Sequence, residues 1–213
     1  NPDFLLNFFR ENQQGLDSIN TKLLDAGTAV DTTMVVDQVM VQKNYQADIF
    51  LEKSENVYFK NGYLDRYLAG DEKHLNQCRG LEAFCAAKAE LDRWILRGLH
   101  EAGVLLVLGT DAGTGGMGIV PGFSVHEELE ILVENGLTPF QALECATVNP
   151  GIVAERMGRA NDFGTIEVGK RADLILVDKD PLKDLDTLRD PVGVMAAGRW
   201  YTREDLQLLI DIE

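Results

Sequence analysis

Positive charge is scarce in this chain: 20 Lys and Arg stand against 35 Asp and Glu in 213 residues, a formal net charge of −15. A surface of that sign repels nucleic acid and anionic membranes, so neither is expected as a partner. Cysteine is scarcer still. Cys78, Cys85 and Cys145 are odd in number and form no CxxC, which indicates neither a disulfide framework nor a zinc knuckle. Cys85 and Cys145 lie among apolar residues and read as small core residues. No apolar run approaches the ~18 residues of a membrane span, no signal peptide is visible, and internal repeats and low-complexity segments are missing. The sequence opens at NPDFLLNFF without an initiator methionine, so we expect the parent reading frame to begin upstream.

With 45% hydrophobic and 26% charged residues, the remainder has the composition of a globular protein. Residues 1 to 22 read as a helix. Gly27 caps the turn that follows, and the β-branched run from Thr28 to Val36 reads as a strand. Residues 37 to 76 are polar and Tyr-rich, suited to short helices and loops. From Gly80 to Ala102 the pattern sharpens. Leu81, Phe84, Cys85, Leu91, Trp94, Ile95 and Leu99 recur at helical spacing, Gly103 ends the helix, and an apolar strand begins at once. Two strands apolar throughout, joined by a long helical region, predict an α/β fold with a parallel sheet covered by helices.

Further on, Ser124 and Glu127 predict a capping box for the helix VHEELEILVEN, which Gly136 closes. Thr138, Pro139 and Gln141 predict another for PFQALECATV, and a short helix is expected near Pro150. Past residue 160 the short β-runs in FGTIEVGKRADLILVD and VGVMAAGRWY, set between Gly and Pro turns, read as a small β-rich domain. A last helix, REDLQLLIDI, carries charges expected to form a solvated face.

Chemistry concentrates in VLLVLGTDAGTGG, residues 104 to 116, where an apolar strand delivers one carboxylate, Asp111. In barrels and doubly wound sheets, catalytic groups project from the C-terminal ends of strands. A carboxylate there suits metal binding, proton transfer or both; the plainer alternative is a turn cap. Gly113, Gly115 and Gly116 let backbone approach a ligand or move as a lid. Thr110 could orient Asp111 as a hydrogen-bond donor or simply satisfy backbone, and Thr33 could face the same cavity from the other strand. His126, near the start of the capped helix, is a candidate substrate contact or a solvent-facing residue. His100 reads as a surface residue and His74 as part of a charged loop.

Taken together, GTDAG, VHEELEILVENGLTPFQALECATVNP and GTIEVGKRADLILVDKDPL resemble the C-terminal half of the amidohydrolase superfamily of metal-dependent hydrolases, nearest its imidazolonepropionase-like and prolidase-like branch. The resemblance covers residues 23 to 36 and roughly 95 to 213, and leaves 37 to 90 unplaced. It implies the last strands and helices of a (β/α)8 TIM-type barrel over residues 1 to 160, followed by an accessory β-sandwich-like segment over 161 to 213. It further implies hydrolysis of a C–N bond in an amide, peptide or cyclic amide, with one or two divalent metal ions, usually zinc. A small-molecule or peptide substrate and a homo-oligomer are consistent with it. Asp111 matches the acid that closes the family's eighth barrel strand, which ligates the metal and takes a proton from the water on it. The family's His-x-His pair, its middle-strand Lys or Glu and its later single histidines have no counterpart here. Zinc sites use about three or four protein ligands, so the isolated chain is not expected to hydrolyse anything. A second resemblance is that of DAGTGG to the phosphate loop of actin-like and sugar-kinase ATPases. A third possibility is a non-catalytic relative.

Overall fold

The computed structural model describes residues 2–59, 62–72, 75, 78–113 and 117–210. These fall into two compact units, Asn1–Ile131 and Leu132–Glu213.

The first unit begins with α1 (Pro2–Glu11) and α2 (Gln13–Asp25), so the N-terminal helix expected as one piece is broken at Asn12. Gly27, at φ 62°, turns the chain into β1 (Val30–Asp31). The strand expected from Thr28 to Val36 is therefore much shorter. Its β-branched end, Val35 and Val36, opens α3 (Val35–Tyr45) instead. The cause is a side chain supplied from far along the chain. The Glu128 carboxylate accepts the backbone N–H groups of Met34 at 3.0 Å and Val35 at 2.7 Å, and the Thr32 hydroxyl as well. Those are donors a helix start leaves without partners, and a negative charge there also suits the helix dipole.

The unplaced stretch follows as α4 (Ala47–Leu51), a 3-10 turn at Ser54–Tyr58 and α5 (Tyr63–Leu68). Next comes α6 (Glu82–Ala102), ended by Gly103 in the left-handed region at φ 79°, as the sequence predicts. It leads into β2 (Leu106–Val107), which pairs parallel with β1 in the register Val30↔Leu106 and Asp31↔Val107. The helix packs closely on α2. A Cβ at Gly98 would lie 2.7 Å from Leu16 Cδ2, and Asn20 donates to the Gly98 carbonyl at 3.1 Å.

Cys78 and Cys85 are joined by a disulfide, Cα to Cα 5.9 Å, across the start of α6. This corrects the expectation of no disulfide, and Cys85 is half-buried rather than a core residue. Cys145 is free and buried, as expected.

A helix α7 (Phe123–Glu134) spans the boundary between the units. The predicted Ser124–Glu127 capping box is not made. Ser124 already lies inside the helix with its hydroxyl buried and unpartnered, and Glu127 pairs with Lys53 at 2.5 Å. The second predicted box is present: Thr138 accepts from the Gln141 N–H at 3.3 Å, and the Gln141 side chain accepts from the Thr138 N–H at 2.8 Å.

That box opens α8 (Pro139–Ala146), and α9 (Val148–Arg156) follows. The rest of the second unit is an antiparallel sheet, β3 (Leu174–Leu176), β4 (Gly193–Ala196) and β5 (Arg199–Thr202), in that order, closed by α10 (Arg203–Ile210). Ala197 and Gly198, at φ 49° and 81°, form the tight turn between β4 and β5. The run FGTIEVGKRADLILVD contributes β only at Leu174–Leu176.

Candidate active-site cavity

Past their paired residues, both parallel strands end in backbone that side chains avoid. Thr33, just beyond β1, has φ 43°, and Asp111, just beyond β2, has φ 50°. Asp visits this region with some ease, whereas β-branched Thr is an outlier there. Such conformations cost about 1–3 kcal/mol each and gather at functional sites. Both residues line one cavity of ≈ 290 Å³ together with Asp31, Thr32, Asp37, Lys88 and Asp92, over an apolar floor that includes Val30, Ile95 and Leu99.

Asp31 pairs with Val107 in the strand register, and its carboxylate reaches Gly109. A Cβ on Gly109 would stand 1.9 Å from Asp31 Oδ1, so this carboxylate occupies the volume that a side chain on the Asp111 strand would fill. Burial raises the Asp31 pKa above the usual carboxylate value, and the negative charge of Asp111 raises it further. Two acids thus share the ends of two adjacent strands, an arrangement that a bound cation would relieve.

On the helix side of the cavity, Lys88 donates to both Asp37 oxygens at 3.1 and 3.3 Å and also to Asp92. Burial foremost, then Asp92, pushes Asp37 up to about 6 against the opposing pull of Lys88. Glu128 is fully buried, and that burial raises its pKa. The Thr32, Met34 and Val35 bonds oppose the rise, and the charge of Asp31 adds to it.

The other sequence candidates are placed as follows. Thr110 accepts a 3.3 Å bond from the Ala112 N–H through its hydroxyl, the backbone-satisfying role among those considered. His126 is half-buried near the start of α7 and is not among the residues lining the cavity. His100 is half-buried on α6 rather than at the surface, and it too is not among them. His74, Gly115 and Gly116 lie outside the described residues. Among the described residues, no group of three or more His, Cys, Asp or Glu side chains is set to hold a metal ion. Among the described residues, Asp111 and Asp31 are two carboxylates that line one cavity at the ends of adjacent strands.

Sequence reasoning missed Asp31, Asp37, Lys88, Asp92 and Glu128. Only Asp31 carries a visible signal, an acid closing a β-branched run much as Asp111 closes an apolar one. The phosphate-loop alternative is not supported. Asp111 leaves a strand that is parallel to its neighbour, and the chain then enters α7 rather than a second antiparallel strand.

The Amidohydrolase family profile matches residues 30–201, and the chain belongs to that family. Among its curated relatives is the imidazolonepropionase of Shouchella clausii (strain KSM-K16), 38% identical over 87 residues, which make up 38% of this chain and 17% of that enzyme. Another is the ochratoxinase of Aspergillus niger, 32% identical over 99 residues, 46% of this chain and 19% of that one. The chain thus spans less than a fifth of the length of these relatives. Among solved structures, a Xaa-Pro dipeptidase with bound methionine matches with TM-score 0.56 at 22% identity, covering 87% of this chain and 37% of that one. A prolidase-assigned structure from Bifidobacterium longum matches with TM-score 0.55 at 28% identity, covering 86% and 39%. The imidazolonepropionase-like and prolidase-like branch read from the sequence is the one these relatives occupy. They imply a TIM-barrel-type fold.

Proposed function

We propose that this chain is the C-terminal portion of a metal-dependent amidohydrolase that cleaves a C–N bond in an amide, peptide or cyclic amide. On this reading residues 1 to 160 complete a (β/α)8 barrel and residues 161 to 213 form its accessory β-rich segment. The observation that carries the proposal is the placement of Asp111. It stands exposed at the C-terminal end of a parallel strand, in strained backbone, on a cavity and beside a second carboxylate. Family membership supports it, as do relatives whose names describe C–N chemistry, among them an N-substituted formamide deformylase of Arthrobacter pascens.

Asp111 would ligate a divalent ion, zinc by preference, and Asp31 would stand next to it. Such an ion, when bound, polarises a carbonyl and makes water acidic enough to react at neutral pH. The work of this chain is then to hold Asp111 fixed and to let its carboxylate take up a proton and release it to the departing amine. Gly109 admits Asp31 beside the strand. Glu128 fixes the turn carrying Thr32 and Thr33. The remaining ligands would come from residues other than those described. Thr33 would line the substrate side, and His126 would contact substrate only if α7 or the preceding loop moved it toward the cavity.

The test is Asp111→Asn in the full-length protein, assayed on a panel of dipeptides and amides with and without a chelator. The variant should melt as the parent does, lose metal affinity and turn over about 10²–10⁴-fold more slowly. Parent-like turnover would remove Asp111 from the chemistry.

A further inference from the structure

The stretch between residues 37 and 90, unplaced on sequence grounds, hides a lysine. The Lys43 side chain on α3 is fully enclosed, its Nζ 2.8 Å from Glu72 Oε2. The same ammonium donates at 3.2 Å to the carbonyl of Met117, six residues beyond Asp111 on the connection to α7. Tyr67 donates to the backbone carbonyl of Lys43 at 2.8 Å, which fixes the helix that carries it. Around this contact the far end of the connection is tightly seated. A Cβ at Gly118, where φ is 81°, would lie 2.8 Å from Tyr63 Oη and 3.0 Å from the Phe50 ring.

Burying a Lys–Glu pair stabilises little compared with apolar residues of the same shape, because both charges lose their water. Here one of the buried donors is aimed at the backbone that leaves Asp111. The helix that carries it, α3, starts beside Thr33 and Met34 at the cavity. One rigid element thus touches the cavity at its first turn and the Asp111 connection at its last.

Resting on the hydrolase reading, we infer that Lys43 is a positioning residue: its hold on the Met117 carbonyl anchors residues 117–122, the described end of the connection from Asp111, and through that anchor supports substrate binding. Loosening that hold costs substrate affinity more than chemistry, since Asp111 itself stays at the end of β2.

The experiment uses the full-length metal-loaded protein with Lys43→Met and Lys43→Arg. It adds the double variant Lys43→Met/Glu72→Leu, which leaves no buried charge unpaired if the single variant fails to fold. Amide hydrogen exchange over residues 117–124 should speed up about tenfold or more, while α8 and α9 stay as protected as before. KM should rise about tenfold with kcat within about threefold, and Lys43→Arg should recover most of the loss. Unchanged exchange over 117–124 overturns the inference, and so does a fall in kcat at constant KM. A parent inactive on the whole substrate panel sinks the hydrolase reading instead. The exchange result then judges the Lys43 contact by itself.

Discussion

Gly109→Ala puts a methyl group where Asp31 now lies, 1.9 Å from Oδ1 and 2.5 Å from Cγ and Oδ2. The backbone of Gly109 is not in the left-handed region, so alanine is conformationally acceptable there. The clash falls on the far end of an exposed side chain, so Asp31 must turn aside while the backbone stays. An off-rotamer side chain costs about 0.5–1.5 kcal/mol, and the lost freedom of the unfolded chain returns about 0.4–1 kcal/mol. The net loss should be under about 1 kcal/mol. In an Asp31→Ala background the offending oxygens are gone, and the same substitution should be neutral or slightly stabilising. A double-mutant cycle by urea unfolding should therefore show a coupling of about 0.5–1.5 kcal/mol between two positions on adjacent strands. Effects that add to within about 0.5 kcal/mol would mean that Asp31 does not rest on Gly109. The packing basis for placing it beside Asp111 would then be wrong.

Glu128→Ala should destabilise the fold by about 3 kcal/mol, because it strands the buried N–H groups of Met34 and Val35. Glu128→Gln should cost about half as much, since one acceptor remains; urea melts in which both variants match the parent would refute the role. Asp37 is held protonated to about 6, above its ordinary value of 3.8. The folded state thus binds a proton the unfolded state gives up, and this contribution to stability is lost as pH rises from about 4 through about 6. Asp37→Asn should flatten the melting temperature over that window. Asp31 and Glu128 shift the same way, so the difference between parent and variant is the diagnostic quantity, and parallel curves would refute it.

What the sequence revealed was whatever local chemistry decides. The α6 periodicity with its Gly103 stop and the Thr138–Gln141 box were readable because each is fixed by residues a few positions apart, and the parallel strand pair was readable from two locally apolar runs joined by a long helix. The misreadings trace to partners far away in the chain. Val35 and Val36 have strand character, yet a carboxylate 93 positions from Val35 turns that point into a helix start. Glu127 looked like a capping residue and was taken by Lys53, 74 positions back. Nothing in MVQKNYQ singles out Lys43, whose partners Glu72 and Met117 lie 29 and 74 positions on. In the cavity, Asp111 was legible as an acid ending an apolar strand. Its neighbour Asp31 becomes visible only once the strands pair, with Asp31 opposite Val107 and its carboxylate against Gly109.

The Cys78–Cys85 bond ties the residues before α6 to that helix's first turn. In the chain-entropy picture a covalent loop this short removes disorder from the unfolded chain worth about 2.5 kcal/mol. The start of α6 therefore has two strengths, one under oxidising conditions and a weaker one once thiols are supplied. A reductant in the purification buffer would set which of them a melting experiment reads.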